Sequence, residues 1–378
     1  MSKLNNLLRV EDLGAIEPGT HAGPLRRVQL LLAGHTGRVG GKLVQLIAAE
    51  RARLAAESRL ELHVSCAVNR SLVVWNDPES PWHKEVTPRL PEDWPALLRR
   101  FAATPGPKLF VDCTASPEVA ARYLDCFGAG LGVVTANKIA NSGGGEHYRA
   151  LQALAATQRV PYRYETTAGA ALPLLAAFAD LRAGGDPVTR IEAALSGTLS
   201  FIFQKLNQGT PFSTAVREAR DQGYTEPHPA DDLKALDSAR KLLILMREGG
   251  IAWEPEQVTV RGLSPPALDA ERDPERYLTR LAARDEEWSK RVAACHRQGL
   301  RLTCRAEYDG REARVGLTQV SSADAFAHLA GGENLVRVWT RRYQPVPLSI
   351  AGPGAGTEVT AGGLLTDILK AATLSQRT

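Results

Sequence analysis

The sequence predicts an α/β protein: a doubly wound domain on a parallel sheet, followed by an α+β domain. Three observations carry that expectation. Val28 to Ala33 form a short continuous apolar run, as a strand buried on both faces requires. Glycines 34, 37 and 40 follow at once, and "KLVQLIAAE" then resumes with helical spacing. Beyond it, strand-like and helix-like segments alternate to about residue 137, which implies crossover connections and parallel pairing.

The elements follow in order. "ELHVSCAVN" reads as a second strand ending near Asn69. Ser71 to Pro95, with Trp75, Trp82 and Trp94 among several prolines, reads as a loop with short elements. Helix "WPALLRRFAA" leads to strand "KLFVDCTAS", helix "PEVAARYLDCFGAG" and strand "GVVTAN". After about residue 160 the rhythm changes. "PYRYETTAG", "VTRIEAAL" and "LRLTCRAEY" read as strands among helices at 170–183, 198–208, 213–222 and 231–248. Residues 265–300 read as charged peripheral helices, and "GPGAGTEVTAGGLLTDILKAA" as a glycine turn feeding a last helix. The domains expected are 26–162 completed by 345–378, and 163–344, after a polar leader at 1–25.

Composition narrows the function. The 378 residues suffice for about two domains. A net charge of +4 with both signs interspersed lacks the basic stripe of a nucleic-acid binder or the polybasic patch of a membrane-surface protein. The five cysteines are scattered without a C-x-x-C pair, which argues against structural zinc and a disulfide framework and fits a reducing compartment. The N-terminus has no apolar core of signal-peptide length and no apolar run approaches membrane-spanning length, so the expectation is a soluble cytoplasmic protein.

"GHTGRVG" sets Gly34, Gly37 and Gly40, with Thr36, Arg38 and Val39, between a buried strand and a helix. A pyrophosphate needs such a turn, because it must approach backbone N–H groups at a helix N-terminus. The spacing is G-x-x-G-x-x-G rather than G-x-G-x-x-G, and the context is Rossmann-like. The second strand ends in Asn69-Arg70 with no acid for ribose hydroxyls. Arg70 is either a ligand for the 2′-phosphate of NADP or a solvated loop arginine. "GYTEPHPADDLKALDSARK", residues 223 to 241, is dense in charge. Taken alone, it reads as a solvated helix start with Asp237 and Lys241 paired one turn apart.

From about Arg27 onward the chain resembles homoserine dehydrogenase, most closely the dehydrogenase portion of bifunctional aspartokinase–homoserine dehydrogenases. The resemblance rests on "VDCTASPEVAARYLDCFGAGLGVVTANKIANS", "YETTAGAALP", "LSGTLSFIFQKLNQG", the 223–241 segment and "YQPVPLSIAGPGAGTEVTAGGLLTDIL". It implies reversible reduction of L-aspartate 4-semialdehyde to L-homoserine with NADP, or NAD, by a homodimer whose dimerisation falls in 163–344. It implies that Gly34, Gly37, Gly40, Thr114, Ala115, Ser116, Gly354 and Thr357 hold the cofactor. Lys138 would stand near both substrate and nicotinamide, and Lys241 would be the acid–base, positioned by Asp237. Glu226, Asp232, Tyr224, Gly197 and Thr198 would bind substrate. Glu165 and the carbonyls of Ala168, Ala170 and Leu172 would hold a monovalent cation, sodium or potassium. His228 and Ala230 depart from the family, which has an acid and a base there.

The chemistry agrees with those residue types. An aldehyde that takes a hydride needs a proton for its oxygen, and a substrate ammonium needs carboxylates. On this reading the charged segment faces inward. Two alternatives stand beside it. An aspartate-semialdehyde dehydrogenase-type enzyme would need a reactive thiolate, for which Cys113 is the candidate. A non-catalytic dinucleotide-binding sensor would have no use for both Lys138 and Lys241.

Overall fold

The structure, a computed structural model, describes residues 24–76, 84–88 and 94–374. Residues 1–23 of the expected leader and Trp82 lie outside the described residues. The chain forms two compact units. The first comprises the described residues of Met1–Ala140, Glu146–Thr166 and Thr357–Thr378, and the second Asn141–Gly145 and Thr167–Gly356.

The first unit opens with strand β1 (Arg26–Ala33), helix α1 (Arg38–Ser58) and strand β2 (Leu60–Val68). Strands β3 (Leu72–Asn76) and β4 (Lys84–Pro88) follow, in the stretch expected to be a loop with short elements. Tertiary packing holds them: the Arg100 guanidinium lies 4.1 Å from the Trp75 ring centroid, and Val73 is buried. Then come α2 (Trp94–Ala102), β5 (Lys108–Asp112), α3 (Pro117–Ala120), α4 (Tyr123–Gly128), β6 (Gly132–Thr135), α5 (Ile139–Ser142), α6 (Gly145–Thr157) and β7 (Tyr162–Arg163). The single helix expected over 117–130 is thus two. The strand expected at "PYRYETTAG" shrinks to two residues before a 3-10 turn at Glu165–Thr167.

The sheet runs β4-β3-β2-β1-β5-β6-β7, parallel from β2 to β7, with β3 and β4 antiparallel at one edge. β1 lies at its centre and feeds two cores. Leu31 and Ala33 join one cluster, while Val28, Leu30 and Leu32 join the other. Each buried leucine contributes about 1.5–3 kcal/mol, which is why this strand reads as an unbroken apolar run.

The second unit contains α7 (Leu174–Ala183), β8 (Val188–Ala194), α8 (Gly197–Asn207), α9 (Phe212–Asp221), α10 (Pro229–Leu233), α11 (Leu236–Glu248) and β9 (Val258–Arg261). It continues with α12 (Pro274–Leu281), α13 (Asp285–Arg297), β10 (Leu300–Tyr308), β11 (Ala313–Ser321), β12 (Glu333–Thr340) and β13 (Leu348–Pro353). The last helix, α14 (Thr357–Leu374), belongs to the first unit, where Ala361, Leu364, Ile368 and Ala372 enter the second of its cores.

The second sheet runs β13-β12-β8-β10-β11-β9. Ile191, Ala193, Val336, Val338 and Ala306 share one of its faces and are buried. The opposite face carries an ion-pair ladder. Glu192 pairs with Arg190 and, at 3.0 Å, with Arg305, which also pairs with Glu307 at 2.5 Å. Arg314 meets Glu307 from the next strand at 2.7 Å.

The helix expected over 231–248 is broken at Ala235, which takes a left-handed conformation (φ 57°, ψ 16°). The cause is a crossing strand end. Leu263 N–H donates to the Leu233 carbonyl at 2.6 Å, and a Cβ on Gly262 would stand 3.0 Å from Lys234 Cα. The crossing segment thus bonds the carbonyl that residue 237 would use in a continuous helix and crowds the backbone at Lys234.

The ladder yields a stability prediction. Glu192 and Glu307 are 5% and 7% exposed, and Arg305 links them. Arg305→Ala leaves both buried carboxylates short of a cation, and it is expected to cost about 3 kcal/mol. Urea unfolding of the two proteins measures it, and an unchanged midpoint would show that the ladder is only decorative.

Candidate active site

In the first unit the glycine turn packs tightly. Gly34 has φ +85°, and a Cβ on it would lie 2.8 Å from Thr114 Cγ2. A Cβ on Gly40 would lie 2.3 Å from the Gly34 carbonyl oxygen, so no other residue fits there. Gly37 begins α1 with no side-chain cap, and no acid occupies the first turn. The uncapped N–H groups and the helix dipole therefore favour an anion. Thr36, Gly37 and Arg38 are exposed, and Val39 is half-buried. Gly34 N–H donates to the Val68 carbonyl at 2.9 Å, which brings the end of β2 alongside.

There, the Asn69 side-chain oxygen accepts from the N–H groups of Ser71 and Leu72 at 2.8 and 2.9 Å, an Asx turn that occupies it locally. Arg70 is exposed. Thr114, Ala115 and Ser116 follow β5, and the Thr114 hydroxyl accepts from Ser116 N–H at 3.1 Å. Lys138, half-buried, follows β6. These residues fit a dinucleotide: an anion cradle at a helix start, beside the carboxyl ends of parallel strands.

The second unit assembles the charged segment around the start of α8. Thr198 Oγ1 lies 2.7 Å from the Tyr224 carbonyl and 2.9 Å from Asp232 Oδ1, so its single O–H is shared between the two acceptors. The other Asp232 oxygen accepts from Glu226 N–H at 2.8 Å. Tyr224 stacks on Phe201, and Gly197 packs so closely on Gly332 that a Cβ would come within 2.7 Å. Lys241 is 8% exposed; its ammonium donates to the Leu195 carbonyl at 2.7 Å and pairs with Asp237 at 2.9 Å. Two of its three N–H groups are thus accounted for.

Burial raises the Asp232 carboxyl above the ordinary carboxylate range, opposed by its two donors and reinforced by the nearby Glu226 and Asp237 carboxylates. His228, one of the two departures from the family, faces neither group: its ring accepts from Ala230 N–H at 3.3 Å as the cap of α10 and packs against Tyr277. Ala230, the other, is 3% exposed. A cavity of about 1120 Å3 in this unit is lined by Arg261, Arg305 and Arg314 at the β9–β11 end of the sheet and includes none of these site residues.

The remaining sequence candidates are placed separately. Glu165 lies in the first unit and its N–H donates to Asp367 at 2.9 Å; Ala168, Ala170 and Leu172 lie in the second. Ala170 is left-handed (φ 53°), and the Leu172 carbonyl already accepts from Leu174 N–H. Gly354 lies in the second unit under Asn334, whose Cγ a Cβ would meet at 1.9 Å, and Thr357 opens α14 in the first. Sequence reasoning missed Asp112, Asn137, Leu195 and Asp367. Asp112 and Asn137 stood inside quoted motifs, but only burial shows them to be polar groups with work to do.

A family model described as homoserine dehydrogenase matches residues 173–369, and one described as homoserine dehydrogenase, NAD binding domain, matches 36–165. The bifunctional aspartokinase/homoserine dehydrogenase of Haemophilus influenzae is 36% identical over 350 residues, 91% of this chain and 42% of its own length. The chain spans 29–42% of the length of the first curated relatives it matches. A Candida auris protein of unknown function superposes with a TM-score of 0.83 at 29% identity, covering 92% of this chain and 98% of that one. A hyperthermophilic archaeal homoserine dehydrogenase in complex with NADPH gives 0.69 at 23% identity over the same shares, a likeness of fold.

The Asp232 environment sets a pH dependence. A carboxyl whose folded pKa is raised stabilises fully below its unfolded pKa, and that contribution is lost as pH rises through the folded value. Asp232→Asn, neutral throughout, should therefore gain in Tm relative to wild type as pH rises from about 4. Thermal melts of both proteins from acid to neutral pH test this; a Tm difference that does not move with pH would remove the assigned cause.

Proposed function

The chain belongs to the homoserine dehydrogenase family, and on that premise we propose that it catalyses the reversible, nicotinamide-dependent interconversion of L-aspartate 4-semialdehyde and L-homoserine. The observation that carries this is Lys241. A buried ammonium with one N–H aimed at the Leu195 carbonyl and another at Asp237 has a third left for a reacting oxygen. The nicotinamide, when bound, supplies or accepts the hydride at the aldehyde carbon. As the carbonyl pair moves onto oxygen, Lys241 delivers the proton to it; in the reverse direction Lys241 takes the hydroxyl proton. Asp237 holds the ammonium in place.

Glu226 and Asp232 bind the substrate ammonium, and Thr198 fixes the Asp232 carboxylate for that contact. Lys138 supports the substrate oxygen from the cofactor side. Gly34, Gly37 and Gly40 cradle the phosphates, and Arg70 takes the 2′-phosphate, which makes NADP the preferred dinucleotide. A monovalent cation held by the Glu165 carboxylate belongs to the reading; hard cations favour carboxylate oxygens. The assembly proposed is a homodimer formed through the second unit, acting on small molecules in the cytoplasm. Among the described residues no helix is long and apolar enough to cross a membrane. The thiolate alternative loses support, because burial pushes all five cysteine thiols up, Cys113 included.

Two measurements test the assignment. Lys241→Ala should lower kcat by about two to four orders of magnitude with little change in NADPH affinity. Near-normal turnover of the purified variant with aspartate semialdehyde would sink the acid–base role. Arg70→Ala should raise KM for NADPH more than for NADH, since only the former carries the 2′-phosphate. Equal effects would return Arg70 to the status of a loop residue.

A further inference from the structure

We propose that Asp112 and Asn137 are positioning residues that tie the loop after β5 to the loop after β6, and so hold Thr114–Ser116 and Lys138 in register for the dinucleotide. The inference rests on the dehydrogenase reading and adds two residues to it.

Asp112 ends β5 with 0% exposure. One carboxylate oxygen accepts from Thr114 N–H at 2.7 Å. The other accepts from the Tyr123 hydroxyl at 2.7 Å and from Asn137 Nδ2 at 3.1 Å. Burial alone pushes this carboxyl up, and the donors from Tyr123, Thr114 and Asn137 oppose it. Asn137, 2% exposed, completes the tie. Its Nδ2 also donates to the Ser116 carbonyl at 2.9 Å, and its Oδ1 accepts from Ile139 N–H at 3.1 Å. That last bond is an Asx turn closing directly over Lys138. Thr135 fixes the base of the same turn: its hydroxyl accepts from Asn137 N–H at 2.8 Å and lies 2.6 Å from the Tyr123 hydroxyl.

The residue types follow from valence. Position 137 needs two donors, for Asp112 and the Ser116 carbonyl, and one acceptor, for Ile139 N–H. Only a carboxamide of this length offers that set; an aspartate has no donor and a serine too few. Position 112 needs acceptors only, three at once, which an ionised carboxylate provides. A tie needed merely to close two strand ends would be met by backbone bonds. Ala136 N–H already donates to the Asp112 carbonyl at 3.0 Å. The side-chain network goes further, because it grips the residues on either side of Lys138 and the backbone on either side of Ala115.

The test compares the full-length wild type with Asn137→Ala, Asp112→Asn and Leu151→Ala. Leu151 is fully buried in the same unit on α6, outside the network, and serves as a stability-matched control. Each protein is measured for Tm, for NADPH affinity by fluorescence titration, and for kcat and KM with aspartate semialdehyde. Asn137→Ala should weaken NADPH binding and lower kcat by about 10²-fold, the usual consequence of misplacing a reacting group by an ångström. Asp112→Asn sets an amide against an amide and should reproduce that pattern, which covers the case in which Asn137→Ala fails to fold. Leu151→Ala should lose as much Tm with both kinetic constants and affinity near wild type. Kinetic losses that merely track Tm across all three variants, or an Asn137→Ala protein with wild-type affinity and turnover, would overturn the positioning role. A wild type that binds no NADPH would instead overturn the dehydrogenase reading beneath it.

Discussion

The break at Ala235 is the constraint on which the charged cluster of the second unit depends. In an uninterrupted helix, residues nine apart point about 180° from one another. Asp232 and Lys241 would then serve opposite surfaces. Instead, Leu263 occupies the Leu233 carbonyl, Ala235 turns left-handed, and the helix restarts on a new axis. Asp232 now reaches Thr198, while Lys241 reaches Leu195, three residues away in the chain. A non-glycine residue held at positive φ is costly and persists only where surrounding structure over-determines it. Here the surrounding structure is the Gly262–Leu263 crossing, and the gain is convergence of an acid and a base on one stretch of backbone.

The charges so gathered are managed by unequal burial rather than by neutralisation. Lys241 has a partner in Asp237, whose side chain is 48% exposed, so the pair is desolvated mainly on the lysine side. Asp232 has donors but no cation among the contacts described, and burial raises its carboxyl. A site that is to receive an ammonium is best left with an uncompensated carboxylate, at some expense in stability. The first unit shows the same logic at Asp112, where a fully buried carboxylate is held by donors alone. By contrast, the ladder of Arg190, Glu192, Arg305, Glu307 and Arg314 satisfies each buried acid with at least two guanidinium groups. It serves the sheet and takes no part in the proposed chemistry.

The sequence by itself determined the first unit in outline, because its signals are local. A strand buried on both faces must be apolar throughout, and a helix that starts against a backbone turn must begin with glycines. It also made the proposed site residues legible, since Lys241, Asp237, Asp232 and Glu226 lie in one charged segment. Tertiary structure decided the rest. The second sheet was read only in part: β9 and β13 are short, and β11 and β12 mix polar with apolar residues, so their pairing depends on partners far along the chain. β3 and β4 were hidden among prolines, and their pairing depends on β2. The kink at Ala235 has no signature in its own residues, because its cause lies at Gly262 and Leu263, some twenty-seven positions later. Asp112 and Asn137 were visible as letters, but a polar side chain gains its meaning from what remains to bond with once water is gone, and only the folded chain decides that.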